Sequence, residues 1–269
     1  IRIFCNPGSD EIIVCPPTFK MYEVAAAIND VQVKKIYLDD AFQPSPKKIF
    51  EAITSHTKVI FLCSPNNPTG NSVRPEIIDN LLRNFEGIVV VDEAYIHFSK
   101  QASQLSQLRK YNNLIVLQTL SKAWGLAGLR LGAAYADPEI IEWMMRIKMP
   151  YNVSTVSQNL SLQALANSGK VNQWRNEILA ERARMEEALR SFHFIVRIYP
   201  SDANFILIRV EDAVTLYEYL CGKGIVIRNQ GSQYGLENCL RITIGTPEEN
   251  IKLINELKNF NDEKEGFIY

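Results

Sequence analysis

From residue 11 to residue 136 short apolar runs alternate with longer amphipathic ones, and no other feature restricts the fold of this chain as much. The runs Glu11 to Cys15, Val33 to Leu38, Val59 to Cys63, Ile88 to Val91, Leu114 to Gln118 and Leu131 to Ala136 are strand-sized. Between them, Thr18 to Ile28, Pro46 to Ser55 and Pro75 to Phe85 read as helices, with Pro46 and Pro75 where a first helical turn tolerates proline. Such alternation predicts an α/β domain with a mainly parallel sheet and helices on both faces. From Pro138 the texture changes. A helix PEIIEWMMRIK ends before Pro150, and a long helical pattern runs from Thr155 to Phe192, broken near Asn167-Ser168-Gly169. Strands Ile195 to Ile198, Asn204 to Val210, Ile225 to Arg228 and Leu240 to Ile244, with helices Ala213 to Gly222 and Pro247 to Asn259, predict a smaller α+β unit. The expected division is a large domain over 1–150, then the linking helix and small domain over 151–269.

A length of 269 residues supports a substantial core, and 46% apolar with 22% charged residues is ordinary for a soluble protein. The net charge of -1 gives no electrostatic reason to expect nucleic acid or an anionic membrane as partner. The apolar stretches are strand-sized, far short of a membrane span. Cys5, Cys15, Cys63, Cys221 and Cys239 are scattered and odd in number, which fits free thiols in a reducing compartment and predicts a cytoplasmic location. His56, His97 and His193 are isolated and add no metal-ligand spacing.

The densest chemistry lies in Thr119-Leu-Ser-Lys-Ala-Trp-Gly-Leu-Ala-Gly-Leu-Arg130. Lys122 stands in a turn of small residues, with Ser121 beside it and Arg130 eight residues on. An amine that attacks a carbonyl needs partial desolvation, and a serine with an arginine can hold a phosphate. The plainer alternative is a lysine whose stem is buried while its head reaches water. In IVVVDEAY an apolar strand delivers Asp92 at its carboxyl end with Tyr95 three residues on, where open α/β sheets gather ligands; a helix N-cap is the other reading. In VIFLCSPNNPTG another strand ends at Asn66-Asn67, which is also turn chemistry. Arg228 and Arg241 occupy strand-like settings, either ion-paired at a sheet edge or aimed at an anion.

Together and in this order, these motifs resemble the fold type I aminotransferases that use pyridoxal 5'-phosphate. The runs CPPTFKMY, PYNVS and CLRITIGT are most similar to the histidinol-phosphate aminotransferase family, over essentially the whole chain. The resemblance implies that Lys122 would carry the cofactor through its amine and that Asp92 would pair with the pyridine nitrogen. Tyr95 and Asn67 would bond the ring's phenolic oxygen, and Phe19 would stack on the ring where most relatives have tyrosine. Ser121 and Arg130 would hold the cofactor phosphate. Arg241 would take the substrate carboxylate and Arg228 its distal phosphate, with Asn204 a weaker candidate beside them. The implied reaction is transamination of L-histidinol phosphate with 2-oxoglutarate in a homodimer. An aromatic amino acid aminotransferase, a phospho-amino-acid decarboxylase of the same fold and a non-catalytic relative are the alternatives.

Pro7-Gly8-Ser9-Asp10-Glu11 has the look of a phosphate-binding loop. A phosphate cup needs the N–H groups of a helix N-terminus, yet only Ile-Ile-Val-Cys follows before Pro16-Pro17. The segment is therefore expected to be a turn into a strand. By resemblance, the family's own phosphate-cradling loop and an N-terminal arm would precede Ile1, so the chain is expected to lack its first part and to bind the cofactor weakly alone.

Overall fold

The computed structural model describes residues 1–266. Six strands, β1 (Glu11–Val14), β2 (Gln32–Lys35), β3 (Thr57–Cys63), β4 (Ile88–Asp92), β5 (Leu114–Thr119) and β6 (Gly132–Ala136), form one sheet in the order β2-β1-β3-β4-β5-β6. All neighbours pair in parallel except β5 and β6, which are antiparallel. The inner strands are apolar on both faces because both are covered. On one face Ile13, Ile60, Val89 and Val91 meet Ile49 of α2 (Pro46–Ala52) and Ile78 and Leu81 of α3 (Pro75–Asn84). On the other, Ile12, Val14 and Val90 meet Tyr22 and Ala26 of α1 (Met21–Ile28) and Ile140 of α4 (Pro138–Ile147). Helices α2 and α4 start for a local reason: Ser45 and Asp137 accept backbone N–H groups as N-caps, ahead of Pro46 and Pro138.

After α5 (Thr155–Ala166) and α6 (Ser168–Leu189), β7 (Ile195–Ile198), β8 (Phe205–Val210), β9 (Arg228–Asn229) and β10 (Cys239–Thr243) make an antiparallel sheet ordered β7-β8-β10-β9. Met185 and Leu189 of α6, Leu216 and Leu220 of α7 (Ala213–Gly222), and Leu253 and Leu257 of α8 (Pro247–Gly266) bury its inner face. The break at Asn167 falls where the sequence marks it. No helix among the described residues is long and apolar enough to cross a membrane.

Several element bounds differ from the sequence-based expectation, and three of them bear on the local hydrogen bonding. The strand expected over 225–228 is only Arg228–Asn229, because the Ile225 N–H is spent on the Leu220 carbonyl at the end of α7, after Gly224 at φ +72°. Helix α1 begins at Met21 rather than Thr18, whose hydroxyl is held in the preceding loop by Asn66 Oδ1 at 2.8 Å. Strand β2 ends at Lys35, although the Ile36 and Leu38 N–H groups still bond the Val14 and Pro16 carbonyls. The segment at Gly8 is a turn feeding β1, as expected. Gly8 has φ +72°, and the buried Asp10 carboxylate accepts the Asn6 N–H at 2.7 Å.

The sheets are joined at Gly70. Its carbonyl accepts the Asp202 N–H at 2.7 Å, and a Cβ at this φ +85° position would lie 2.8 Å from Ser201 Oγ.

Candidate active site

The candidate cofactor residues collect at the carboxyl ends of β1, β3, β4 and β5, where a parallel sheet turns its strands toward a ligand, while Arg228 and Arg241 come from β9 and β10 of the other sheet. Asp92 closes β4 directly beside Cys63, the last residue of β3. Its Oδ1 accepts the Ala94 N–H at 3.0 Å and its Oδ2 the Tyr22 hydroxyl at 2.7 Å. Burial pushes the Asp92 carboxyl above its ordinary value, against the Tyr22 and Ala94 hydrogen bonds and the charge of Lys122. The next residue, Glu93, is almost wholly buried and anchors the loop. Its carboxylate accepts the Ser103 hydroxyl, the Gln104 N–H and the Gln118 amide at 2.5, 2.6 and 2.9 Å.

Lys122 follows β5. Its Nζ stands 5.1 Å from the centroid of the Tyr95 ring, which meets Phe205 edge-on at 5.2 Å. Phe205 in turn lies 4.8 Å beneath the Arg241 guanidinium, whose Nη1 donates to Asn67 Oδ1 at 2.6 Å. Lys122, Tyr95, Asn67 and Arg241 thus form one continuous group, although Asn67 and Arg241 are 174 residues apart. Burial lowers the Arg241 pKa, and its Nε is buried with no hydrogen-bond partner. Among the described residues Arg241 makes no ion pair, so the edge ion-pair alternative does not apply to it. Arg228 is exposed and faces Arg241 in register across β9 and β10.

The Lys122 loop is more open than its small residues imply. Lys122 and Arg130 are exposed, and a Cβ built on Gly125 or Gly128 meets nothing within 4 Å. The partial desolvation expected for Lys122 is therefore not supplied by this loop alone. Ser121 is tied to Thr119, whose hydroxyl lies 2.9 Å from Ser121 Oγ and 3.0 Å from its N–H. Arg130 adopts a left-handed conformation at φ 54°, with Nη1 donating back to the Ala127 carbonyl at 2.9 Å. Phe19 is 41% exposed and meets Tyr22 edge-on at 5.7 Å. The Asn204 carbonyl bonds the Ile244 N–H, a sheet contact.

Sequence reasoning passed over Tyr22, Glu93 and Phe205. Tyr22 carried a usable signal, since it lies three residues after Phe19 in the same CPPTFKMY run, and the two rings meet edge-on. No cluster of His, Cys, Asp and Glu suited to a metal occurs among the described residues.

The family described as "Aminotransferase class I and II" matches residues 1–257. The histidinol-phosphate aminotransferase of Parabacteroides distasonis is 50% identical over 259 residues, covering 96% of this chain and 75% of the relative. That of Flavobacterium psychrophilum is 52% identical over 257 residues, covering 96% and 74%. The crystal structure of the histidinol-phosphate aminotransferase of Clostridium acetobutylicum superposes with a TM-score of 0.89 at 25% identity, over 94% of this chain and 78% of that one. The fold also matches the Sinorhizobium meliloti histidinol-phosphate aminotransferase solved in complex with pyridoxal-5'-phosphate, with a TM-score of 0.85 at 20% identity over 95% and 72%. The chain belongs to the class I and II aminotransferases and, among them, to the histidinol-phosphate aminotransferases.

Proposed function

We propose that the chain binds pyridoxal 5'-phosphate and moves an amino group from L-histidinol phosphate to 2-oxoglutarate, giving imidazole-acetol phosphate and glutamate. One observation carries the reading. Arg241 is a part-buried guanidinium with an unpartnered Nε, bonded to Asn67 and grouped with Tyr95 and Lys122. It is built to take a carboxylate beside a reactive amine.

The residues fit the cofactor. Asp92 offers a carboxylate to a protonated pyridine nitrogen, Asn67 and Tyr95 offer polar groups to the phenolic oxygen, and Phe19 offers a ring face. Ser121 and Arg130 offer a hydroxyl and a guanidinium to the phosphate. When bound, the cofactor supplies an electron sink for charge developing at the substrate Cα. Arg241 orients the substrate by its carboxylate, and Arg228 meets its phosphate. Lys122 Nζ, as a free amine, would take the proton from the substrate Cα and hold it for return, while Asp92 would keep the pyridine nitrogen protonated. The two half-reactions share one site, so the kinetics are ping-pong.

Glutamate formation after mixing the protein with pyridoxal phosphate, L-histidinol phosphate and 2-oxoglutarate tests the assignment. Faster turnover of phenylalanine or tyrosine than of histidinol phosphate, or release of carbon dioxide from a phosphorylated amino acid, would sink it. A homodimer is part of the proposal. It is supported by the exposed apolar run Met145, Ile147, Met149, Tyr151 and Val156 and is checked by light scattering. The separate hydrophobic clusters of the two sheets support a division near residue 150, and the unpaired cysteines support a reducing, cytoplasmic setting.

A further inference from the structure

Tyr22 is the second residue of α1 and is 7% exposed, with its ring stacked on Phe61 of β3 at 4.9 Å and 18°. Phe19 meets the same ring edge-on, so stacking and burial fix where the hydroxyl sits. That hydroxyl reaches Asp92 Oδ2 across 70 residues of sequence. We propose that Tyr22 is a positioning residue of the transamination, fixing the plane of the Asp92 carboxylate and holding it ionised toward the cofactor's pyridine nitrogen. The proposal rests on the reading of Asp92 given above.

With Oδ1 on the Ala94 N–H and Oδ2 on Tyr22, the carboxylate cannot rotate without breaking a charge-assisted hydrogen bond. Each oxygen keeps a second acceptor direction, which leaves room for one N–H from the ring. The titratable groups facing Asp92 are Tyr22 from α1, Cys63 from β3 and Lys122 from the loop after β5. Burial drives Asp92 toward its neutral form, which could not hold a pyridinium. Burial also holds the Tyr22 phenol well above its ordinary pKa and the Cys63 thiol up to about 12, so both stay protonated at neutral pH. Tyr22 therefore acts as a hydrogen-bond donor and never as a competing anion. A tyrosine that merely filled space would tolerate phenylalanine.

The test uses the full chain carrying 13C-carboxyl aspartate, with the Asp92 resonance assigned by its loss in Asp92→Asn. Without cofactor, Tyr22→Phe is expected to raise the Asp92 pKa. Phe61→Leu, which loosens the stack that places the hydroxyl but keeps the hydroxyl itself, is expected to raise it less. Fluorotyrosine at position 22, a stronger donor with an unchanged fold, moves it down and serves if Tyr22→Phe does not fold. At saturating pyridoxal phosphate, Tyr22→Phe is expected to lower kcat by roughly tenfold to a hundredfold, the worth of one hydrogen bond to a charge, with KM little changed. An unchanged Asp92 titration in Tyr22→Phe, or an unchanged kcat, overturns the proposal while leaving Asp92 as the nitrogen's partner. Full turnover in Asp92→Asn overturns that assignment, and the proposal with it.

Discussion

The two sides of the site are built on opposite plans. Around Asp92 both carboxylate oxygens are bonded, the next residue is locked by Ser103, Gln104 and Gln118, and aromatic rings pack behind. Around Lys122 and Arg130 the chain is exposed, and its polar groups bond mainly to their own loop. One side is finished by the fold, and the other is left open to solvent. Preorganised charge costs no rearrangement at the moment of reaction, whereas an amine that must attack, leave and return needs freedom.

The largest effect belongs to the open side. Lys122→Ala is expected to lower turnover by about 10^4-fold, since it removes the group proposed to carry both the cofactor and the proton. Its amine touches little beyond the Tyr95 ring, so the melting free energy should stay within about 0.5 kcal/mol of the parent. A large loss of stability in this variant would break the contrast between the two sides.

Asp92→Asn comes next, with an expected loss of roughly 10^2- to 10^3-fold in kcat, because under the proposed role an amide would hold the pyridine nitrogen without its countercharge. Here the stability changes too. The Asp92 pKa is raised by burial, so folding favours the protonated acid: that contribution is complete at acid pH and is lost as pH rises through the folded value. Without cofactor, Asp92→Asn should therefore be more stable than the parent at pH 7 and gain nothing at pH 3. Calorimetry at the two pH values checks the sign.

How far this contrast could be read from the sequence depends on the range of the contacts. Asp92 was legible because an apolar run stops at it, and Lys122 because its neighbours are small and polar within a few residues. The bonds of Tyr22 to Asp92 and of Asn67 to Arg241 span 70 and 174 residues, and no local periodicity encodes them. The openness of the Lys122 loop was not legible either, since small residues permit a tight wall and an exposed one alike. The short β9 was missed for a related reason: Ile225 has strand propensity, but the end of α7 claims its N–H.

Gly70→Ala sharpens the comparison from the scaffold. The new Cβ would meet Ser201 Oγ at 2.8 Å in a φ +85° conformation, at the seam that brings Arg241 to Asn67. A loss of about 1–3 kcal/mol in urea unfolding is expected. Because the seam also sets where Arg241 sits, KM for the amino donor should rise more than kcat falls. Equal effects on both would mean that the seam supports the whole site and not its substrate end.

The smallest effect is again on the open side. Arg130 holds a left-handed conformation, bonds only the carbonyl of Ala127 among the described residues and is exposed. Arg130→Lys removes no contact that the fold needs, so the cofactor-free protein should melt as the parent does. The planar guanidinium suits bidentate bonding to a phosphate, which an ammonium cannot reproduce. Affinity for pyridoxal phosphate, followed by fluorescence titration, should fall about tenfold, the worth of one charged hydrogen bond. Inorganic phosphate should then compete less well with the cofactor in the variant than in the parent. Unchanged competition would place the phosphate away from Arg130 and leave its left-handed backbone without a functional reason.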